Sequence, residues 1–227
     1  MVSSLLLMTI LIEPQPNPRI ALFAGTGAVL ARDVGVALAK LNLHYTEVTE
    51  SDIKRGKLRD FNILIIPGGY TAVMLDTLEG EPFDSIRRFV ASGGKYIGIC
   101  AGAYLAPQVV KLHAGREAPG LNIIAVENVR RSGMGLRKIN IVNPDHPITK
   151  GYQGELTIWY QNGPYMKPGN LVTVLAMYDT TYAAIVVSNY HKGKVVLFSV
   201  HPEGSLDNGV DPQKLGTLNL LKNAILW

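Results

Sequence analysis

Short apolar runs alternate with amphipathic stretches along the first half of the chain. The apolar runs are Arg19 to Ala24, His44 to Val48, Asn62 to Ile66 and Lys95 to Ile99, and each has the length of a strand. Residues 29–41 and 82–91 instead place apolar side chains at three- and four-residue spacing, which predicts a helix in each segment. This alternation is typical of a parallel sheet that helices cover on both faces, so the sequence predicts an α/β fold.

After about residue 118 the pattern changes to strands that are separated by turns. The predicted strands are Leu121 to Val126, Leu136 to Val142, Leu156 to Trp159, Leu171 to Met177, Tyr182 to Asn189 and Lys194 to Val200. Helices are predicted over residues 101–109, after the fourth apolar run, and over residues 212–226. We therefore expect an antiparallel β region that is inserted before the last strand returns to the parallel sheet.

The expected domain organisation is simple. Residues 19–227 carry no repeat, linker or low-complexity segment, and we expect them to form a single domain. Residues 1–18 are expected to form an irregular N-terminal segment. The apolar run within it, Leu5 to Ile12, is too short to cross a bilayer. We interpret it either as a docked edge strand or as an irregular terminus.

Composition and charge exclude several classes of protein. The chain is 47% hydrophobic and 18% charged, which excludes a disordered protein, and its one cysteine excludes a disulfide scaffold. The net charge of +4 is small, and the densest basic stretch, residues 130–138, has no interleaved aromatic side chains and predicts a solvated loop. We therefore expect a cytoplasmic protein without nucleic-acid or membrane partners. Because metal-binding spacings such as Cys-x-x-Cys are absent, we expect no metal and no cofactor.

The sharpest local motif is Gly98-Ile99-Cys100-Ala101-Gly102, where a predicted buried strand turns directly into a helix. This arrangement is typical of a nucleophile elbow, in which the residue between the glycines takes a strained conformation and points out of the sheet. Glycines are needed there because a Cβ would collide with the neighbouring strand or helix. The dipole of the following helix favours a thiolate, so Cys100 is a candidate nucleophile. A buried structural cysteine is the alternative.

A thiolate that attacks a carbonyl needs a base, and the base needs a carboxylate that orients it. His201 and Glu203 directly follow the last predicted strand, at the edge of a parallel sheet where such folds place their sites. Alternation along an extended segment puts both side chains on one side, so His201 is the candidate base and Glu203 orients it. The motif Pro67-Gly68-Gly69-Tyr70 follows another strand, and we expect the N–H groups of Gly69 and Ala101 to form an oxyanion hole.

Together these motifs resemble the class I glutamine amidotransferase-like superfamily, whose members have a flavodoxin-like, doubly wound α/β fold and a Cys-His-Glu triad. The resemblance runs from about residue 19 to the end, in the order PGG, GICAG and HPE. The segments Gly98 to Tyr104 and Tyr160 to Pro164 also look like the amidotransferase-like domain at the amino terminus of biotin-protein ligases, a family that has free-standing members. The resemblance implies Cys100 as nucleophile, His201 as base and Glu203 as the orienting residue. It does not imply biotin ligation, because no biotinyl-adenylate loop is found.

One position departs from the pattern of the glutamine-using members. They carry a glutamine two residues after the second elbow glycine, where this chain has Tyr104. We therefore expect glutamine to be a poor substrate, and the small-molecule substrate to be another small amide or a related compound. Tyr70, Tyr104, Tyr160 and Asn162 are the candidate substrate contacts. A separate partner enzyme and a homo-oligomer both stay open.

The favoured function is that of a thiol-dependent amidohydrolase or acyl transferase of the glutamine amidotransferase-like type. One alternative is a catalytically silent module that binds a small molecule or a protein, because fold and motif do not guarantee turnover. Another is a dinucleotide site, because Gly25-Thr26-Gly27 follows the first strand and Glu47 lies about 20 residues further on. The third glycine of that fingerprint is replaced by Leu30, which argues against it.

Overall fold

The computed structural model describes residues 17–227 as a central sheet with helices packed on both faces. The strands are β1 (Ile20–Phe23), β2 (Tyr45–Val48), β3 (Ile63–Ile66), β4 (Lys95–Ile99), β5 (Val109–Lys111), β6 (Glu117–Pro119), β7 (Val126–Val129), β8 (Met134–Ile141), β9 (Gly154–Gln161), β10 (Tyr165–Pro168), β11 (Thr173–Met177), β12 (Ala183–Tyr190) and β13 (Gly193–Phe198). The helices are α1 (Ala31–Lys40), α2 (Glu50–Lys54), α3 (Thr71–Leu78), α4 (Glu81–Ala91), α5 (Ala101–Leu105) and α6 (Leu218–Leu226). The apolar run Leu5 to Ile12 lies outside the described residues.

The central sheet is parallel in its first part and antiparallel in its second. Its strand order is β2-β1-β3-β4-β13-β12-β11-β8-β9, and β2, β1, β3, β4 and β13 run in the same direction. The remaining strands on this path join by antiparallel pairing. The first five positions follow the order of flavodoxin-like folds. The predicted doubly wound α/β fold with an inserted antiparallel β region is thus confirmed.

Successive residues of the parallel strands pack against opposite helical layers, because side chains alternate along a strand. Ile20 and Leu22 of β1 lie in the layer with α1 and α6, whereas Ala21 and Phe23 lie in the layer with α3, α4 and α5. All four side chains are at most 1% exposed. Burial on both faces leaves the carboxyl edge of the strands as the place where polar side chains can gather.

Two predicted helices are shorter in the structure. α5 ends at Leu105 rather than near residue 109, because Pro107 has no N–H and its ring clashes with a preceding helical turn. α6 begins at Leu218 rather than at residue 212, because Gly216 adopts a φ of 74°, outside the helical region. No helix within residues 17–227 is long and apolar enough to cross a membrane.

The prediction of a strand over residues 121–126 is wrong, apart from its last residue, which begins β7. The N–H groups of Leu121 and Ile123 donate to the carbonyl oxygens of Leu105 and Ala106 at the end of α5. The last carbonyls of a helix lack partners within it, so this segment satisfies them while burying its own apolar side chains. An apolar run that covers a helix end has the same composition as a short strand.

Tyr96 on β4 ties the sheet to the helix that follows the elbow. Burial raises the pKa of its phenol, and the hydroxyl donates to the carbonyl oxygen of Gly102 over 2.7 Å. We expect Tyr96→Phe to lower the free energy of unfolding by about 1 to 2 kcal/mol, because a buried carbonyl loses a partner. Urea denaturation measures the change, with Tyr190→Phe as control, since Tyr190 is half-buried and packs edge-on against His191. Equal losses in both variants would contradict this role.

Candidate active site

Cys100 joins β4 to α5 in a backbone conformation that few residues adopt. Its φ is 51° and its ψ is −100°, a strained combination for a residue with a side chain. Close packing holds it there, because a Cβ at Gly102 would lie 2.2 Å from the carbonyl oxygen of Ile66. A Cβ at Gly98 would lie 2.7 Å from the backbone of Gly102. The elbow expected from the two glycines is present, and Cys100 lines a cavity beside it.

The pairing of β13 with β4 brings His201 to the same edge of the sheet as Cys100. The two strands run parallel with Phe198 opposite Ile99, so the residues that follow each strand emerge side by side. The N–H of His201 also donates to the carbonyl oxygen of Trp159 over 2.8 Å, which fixes its backbone. A Cβ built on Gly68 would lie 3.1 Å from His201 Cε1 and 3.4 Å from Cys100 Cβ, so both side chains surround the PGG motif.

Glu203 lies behind the imidazole, as the sequence predicts. Its Oε1 is 2.8 Å from His201 Nδ1, and both residues are almost completely buried. The other oxygen, Oε2, has no hydrogen-bond partner among the described residues. Burial alone would lower the pKa of His201, but the charge of Glu203 and hydrogen bonding with Cys100 hold that pKa well above its usual range. The arrangement therefore favours an imidazolium next to the sulfur.

The carbonyl oxygen of Gln161 is near both the sulfur and the imidazole. It is 3.2 Å from Cys100 Sγ and 3.5 Å from His201 Nε2. In its thiol form, Cys100 donates a hydrogen bond to this oxygen. Gln161 lies at the end of β9, in the inserted antiparallel region, and the sequence analysis did not identify it.

Two backbone N–H groups of the PGG motif and the elbow, those predicted to form an oxyanion hole, make no hydrogen bond within the described part of the chain. The N–H of Gly69 and that of Ala101 have no acceptor among residues 17–227. Gly69 admits no side chain, because a Cβ there would lie 2.1 Å from the carbonyl oxygen of Gly27. The N–H of Tyr70 donates to the same Gly27 oxygen over 2.9 Å, which holds the loop in place. Ala101 is the first residue of α5, where N–H groups lack partners within the helix.

The cavity above the sulfur has a volume of about 550 Å³. Its wall is built from the loop before α1, the residues after the PGG motif, the elbow, residues 112–113, the loop after β7 and the end of β9. Tyr70 lies at its mouth with 65% exposure, whereas Tyr104 is almost completely buried and donates to the carbonyl oxygen of Asn162 over 3.2 Å. This volume is in the range of small-molecule sites.

Two of the four predicted substrate contacts have other roles in the structure. Tyr160 does not line the cavity, and its hydroxyl lies 2.8 Å and 3.0 Å from the carbonyl oxygens of Arg131 and Gly163. Asn162 does line the cavity, but its Oδ1 accepts a hydrogen bond from the N–H of Gly133 over 2.9 Å. The backbone φ of Asn162 is 54°. Both side chains hold the loop 130–133 in place, which a sequence motif cannot distinguish from contact with a substrate.

The basic stretch after residue 130 is more structured than the sequence predicts. Arg130 lines the cavity, with its Cζ 5.6 Å from the centre of the Tyr104 ring. Arg131 and Arg137 lie outside the cavity lining, over rings that other strands supply. The aromatic partners are distant in sequence, so a search for interleaved aromatics within the stretch could not find them.

The alternative ligands receive no support from the described residues. In the predicted dinucleotide loop, the N–H and the hydroxyl of Thr26 donate to the carboxylate of Glu50, over 3.3 Å and 2.9 Å. An internal carboxylate thus occupies the loop and would repel a phosphate, while Glu47 lies exposed on the edge strand β2. Among residues 17–227, no group of three or more His, Cys, Asp or Glu side chains is arranged to hold a metal ion.

Comparisons with known proteins identify sequences that are similar to this chain. Residues 40–126 match the family described as biotin-protein ligase, N terminal. The pyridoxal 5'-phosphate synthase subunit PdxT of Koribacter versatilis is 29% identical over 158 residues, which cover 69% of this chain and 76% of that protein. The biotin–protein ligase of Schizosaccharomyces pombe is 26% identical over 176 residues, which cover 64% of this chain but only 26% of the ligase.

The fold also matches a solved glutamine amidotransferase from Thermotoga maritima. The TM-score is 0.59 at 13% identity, and the match covers 93% of this chain and 97% of that chain. The family match, the sequence relatives and the fold all support the similarity of the chain to the class I glutamine amidotransferase-like superfamily. Within that superfamily, the chain is similar to the amino-terminal region of biotin-protein ligases.

The contact between Glu203 and His201 gives a prediction about charge. Because the carboxylate raises the pKa of His201, Glu203→Gln is expected to move the titration of that imidazole to lower pH. At neutral pH a smaller fraction of His201 is then protonated, so the imidazolium stabilises less of the Cys100 thiolate. Alkylation of Cys100 by iodoacetamide at pH 7 is expected to slow about tenfold, which corresponds to the loss of about 1.4 kcal/mol of stabilisation. Histidine NMR and alkylation kinetics measure the two effects.

The control for this prediction is Asp207→Asn, which removes an exposed carboxylate four positions further along the same loop. It is expected to leave both measurements unchanged. An unchanged His201 titration in Glu203→Gln would show that Glu203 does not set the charge of the imidazole.

Proposed function

We propose that this protein is a cysteine-dependent amidohydrolase or acyl transferase that acts on a small amide or a related compound. The observation that carries the proposal is the line of Cys100, His201 and Glu203, in which Cys100 lines a cavity of about 550 Å³ and the other two residues are buried beside it. The line provides a nucleophile, a base and an orienting carboxylate in the order that acyl transfer requires.

The proposed reaction begins from a Cys100 thiolate paired with a His201 imidazolium, a pair that forms when the thiol proton passes to the neutral imidazole. The thiolate adds to the carbonyl carbon of the amide, and the N–H groups of Gly69 and Ala101 stabilise the oxyanion of the tetrahedral intermediate. As the C–N bond breaks, the imidazolium gives its proton to the leaving amine, and a thioester forms at Cys100. Water, activated by His201, then attacks the thioester, which releases a carboxylate and regenerates the thiol. An amine in place of water gives acyl transfer instead of hydrolysis.

Glu203 acts through the imidazole and does not reach the substrate. It holds His201 with Nδ1 toward the carboxylate and Nε2 toward the cavity side, where Gln161 and the sulfur lie. Its charge stabilises the imidazolium that forms after the first proton transfer. Since Glu203 Oε2 has no other partner among residues 17–227, little of that charge is neutralised elsewhere.

Glutamine is proposed to be a poor substrate because of the side chain of Tyr104. Its ring occupies the position at which glutamine-using relatives place an amide, and its hydroxyl is already bonded to the carbonyl oxygen of Asn162. A charged substrate group that leaves water without a partner costs several kcal/mol. The pocket next to the sulfur is thus narrower and offers fewer free polar groups.

A separate partner enzyme is part of the proposal. The relative PdxT is named as a subunit of a synthase, and the rim of the cavity exposes Val29, Tyr70 and Val73 by 54%, 65% and 39%. An apolar rim around a catalytic cavity suits a protein that covers it during turnover. A partner protein bound over the rim would determine whether water or an amine reaches the acyl group.

One observation favours the alternative of a silent binding module. Cys100 Sγ lies 3.2 Å from the carbonyl oxygen of Gln161, which accepts a hydrogen bond from a thiol and repels a thiolate. If no ligand displaces this bond, the cysteine stays protonated and the cavity only binds.

Turnover of a panel of small amides distinguishes the two functions. We expect ammonia release from at least one simple carboxamide, loss of that release in Cys100→Ala, and a fall of about a hundredfold or more in His201→Ala. Glutamine is expected to have a kcat/KM at least about tenfold below that of the best amide, the effect of one lost buried polar contact. Glutamine turnover that equals that of the best amide would refute the role of Tyr104, and no Cys100-dependent turnover of any amide would support the binding module.

A further inference from the structure

The charged side chains that line the cavity are of one sign. Arg130 is the positively charged side chain of its wall, and no aspartate or glutamate among residues 17–227 lines it. His201, whose pKa is held above its usual range, is buried close to Cys100 and does not line the cavity. The cavity is therefore electrically positive, and its field favours an anion over a cation or a zwitterion.

Arg130 is positioned to contact a ligand. Its guanidinium lies over the ring of Tyr104, 5.6 Å from the ring centre, and Tyr104 in turn is bonded to Asn162 at the end of β9. This stacking limits the orientations of a long side chain without using its hydrogen-bond donors. Arg130 is exposed and has no ion-pair partner among residues 17–227, so its guanidinium is available to an anion in the cavity.

The same cavity offers little to an ammonium group. Besides the missing carboxylates, the main-chain oxygens of Gln161 and Asn162 already accept hydrogen bonds, the first from Cys100 and the second from Tyr104. The side-chain oxygen of Asn162 accepts from Gly133. A substrate with both a carboxylate and an ammonium would thus leave its ammonium poorly paired, at a cost of several kcal/mol if it is buried.

We propose that Arg130 determines specificity by binding a carboxylate of the substrate, and that the substrate is a monoamide of a dicarboxylic acid without an amino group. This inference rests on the proposed function, in that the amide carbonyl is placed at Cys100 while the carboxylate is held at Arg130. Hydrolysis of such a compound consumes one water molecule and yields a dicarboxylate and ammonium. The amide carbonyl occupies the oxyanion hole and the carboxylate binds Arg130, so the protein recognises both ends of the substrate.

The experiment measures how well ligands protect Cys100 from iodoacetamide. Cys100 is the only cysteine of the chain, so mass spectrometry of the whole protein reports its alkylation directly. The ligands are glutaric acid monoamide, its four- and six-carbon homologues, neutral butanamide, and glutamine, which differs from the first only by its amino group. We expect a monoamide of one of these lengths to protect at a concentration at least about fivefold below that of butanamide or glutamine, the effect of about 1 kcal/mol.

The variants are Arg130→Gln and, as matched control, Arg137→Gln, which removes an arginine of the same basic stretch that does not line the cavity. Arg130→Gln is expected to raise the protecting concentration of the best monoamide about fivefold or more, while that of butanamide changes less than twofold. Arg137→Gln is expected to leave both values unchanged.

The inference is overturned if Arg130→Gln leaves protection by every monoamide unchanged, if glutamine protects as well as the best monoamide, or if no amide protects. The rate of alkylation without ligand tests the proposed function separately. A rate no faster than that of a small free thiol at the same pH would argue against an activated nucleophile, whereas the ratio of protecting concentrations would still report on Arg130.

Discussion

The strained backbone at Cys100 is the constraint on which the rest of the site depends. A positive φ at a residue with a side chain costs energy, and the chain keeps it only because α5 packs against β3 at the distance that Gly102 permits. A methyl group at that glycine would collide with the carbonyl oxygen of Ile66, so α5 would move away from the sheet. The N–H of Ala101 and the sulfur would move with it. Packing between one helix and one strand thus sets the positions of both the Cys100 sulfur and the Ala101 N–H, the proposed nucleophile and oxyanion donor.

The register of the sheet brings His201 next to the elbow. His201 is far from Cys100 in sequence, and only the parallel pairing of β13 with β4 brings the two together. The inserted antiparallel strands add further contacts, since Trp159 on β9 holds the backbone of His201 and Gln161 places an oxygen near both sulfur and imidazole. The candidate site is therefore assembled from two parts of the fold: the parallel part carries the proposed reacting groups, and the inserted part contacts them.

The parallel part of the fold could be predicted from the sequence, whereas the contacts of the inserted part could not. The strands of the parallel sheet, the elbow at Cys100 and the segment after β13 could be predicted because each is a local pattern of apolar residues, glycines and polar side chains. The walls of the cavity could not, because they depend on which distant residues meet. Tyr160 and Asn162 were expected to touch a substrate, yet their polar atoms hold the loop 130–133, and Arg130 was assigned to a solvated loop although it lines the cavity. In these cases the residue type indicates which interactions a side chain can make, but only the tertiary contacts determine which partner it binds.

The difference between the two parts also bears on how such proteins diverge. In the proposed function, the elbow, the base and the oxyanion donors act on the carbonyl group that all amide substrates share, and they lie on a sheet and helices like those of a glutamine amidotransferase of the same fold. The groups proposed to meet the remainder of the substrate lie in α5 and in the loop after β7, as Tyr104 and Arg130 do here. Substitutions at those positions alter the charge and width of the cavity without straining the elbow or breaking the contact between His201 and Glu203. A change of substrate therefore requires few compensating changes in the core, and the charge of the cavity wall is the feature that distinguishes one such protein from another.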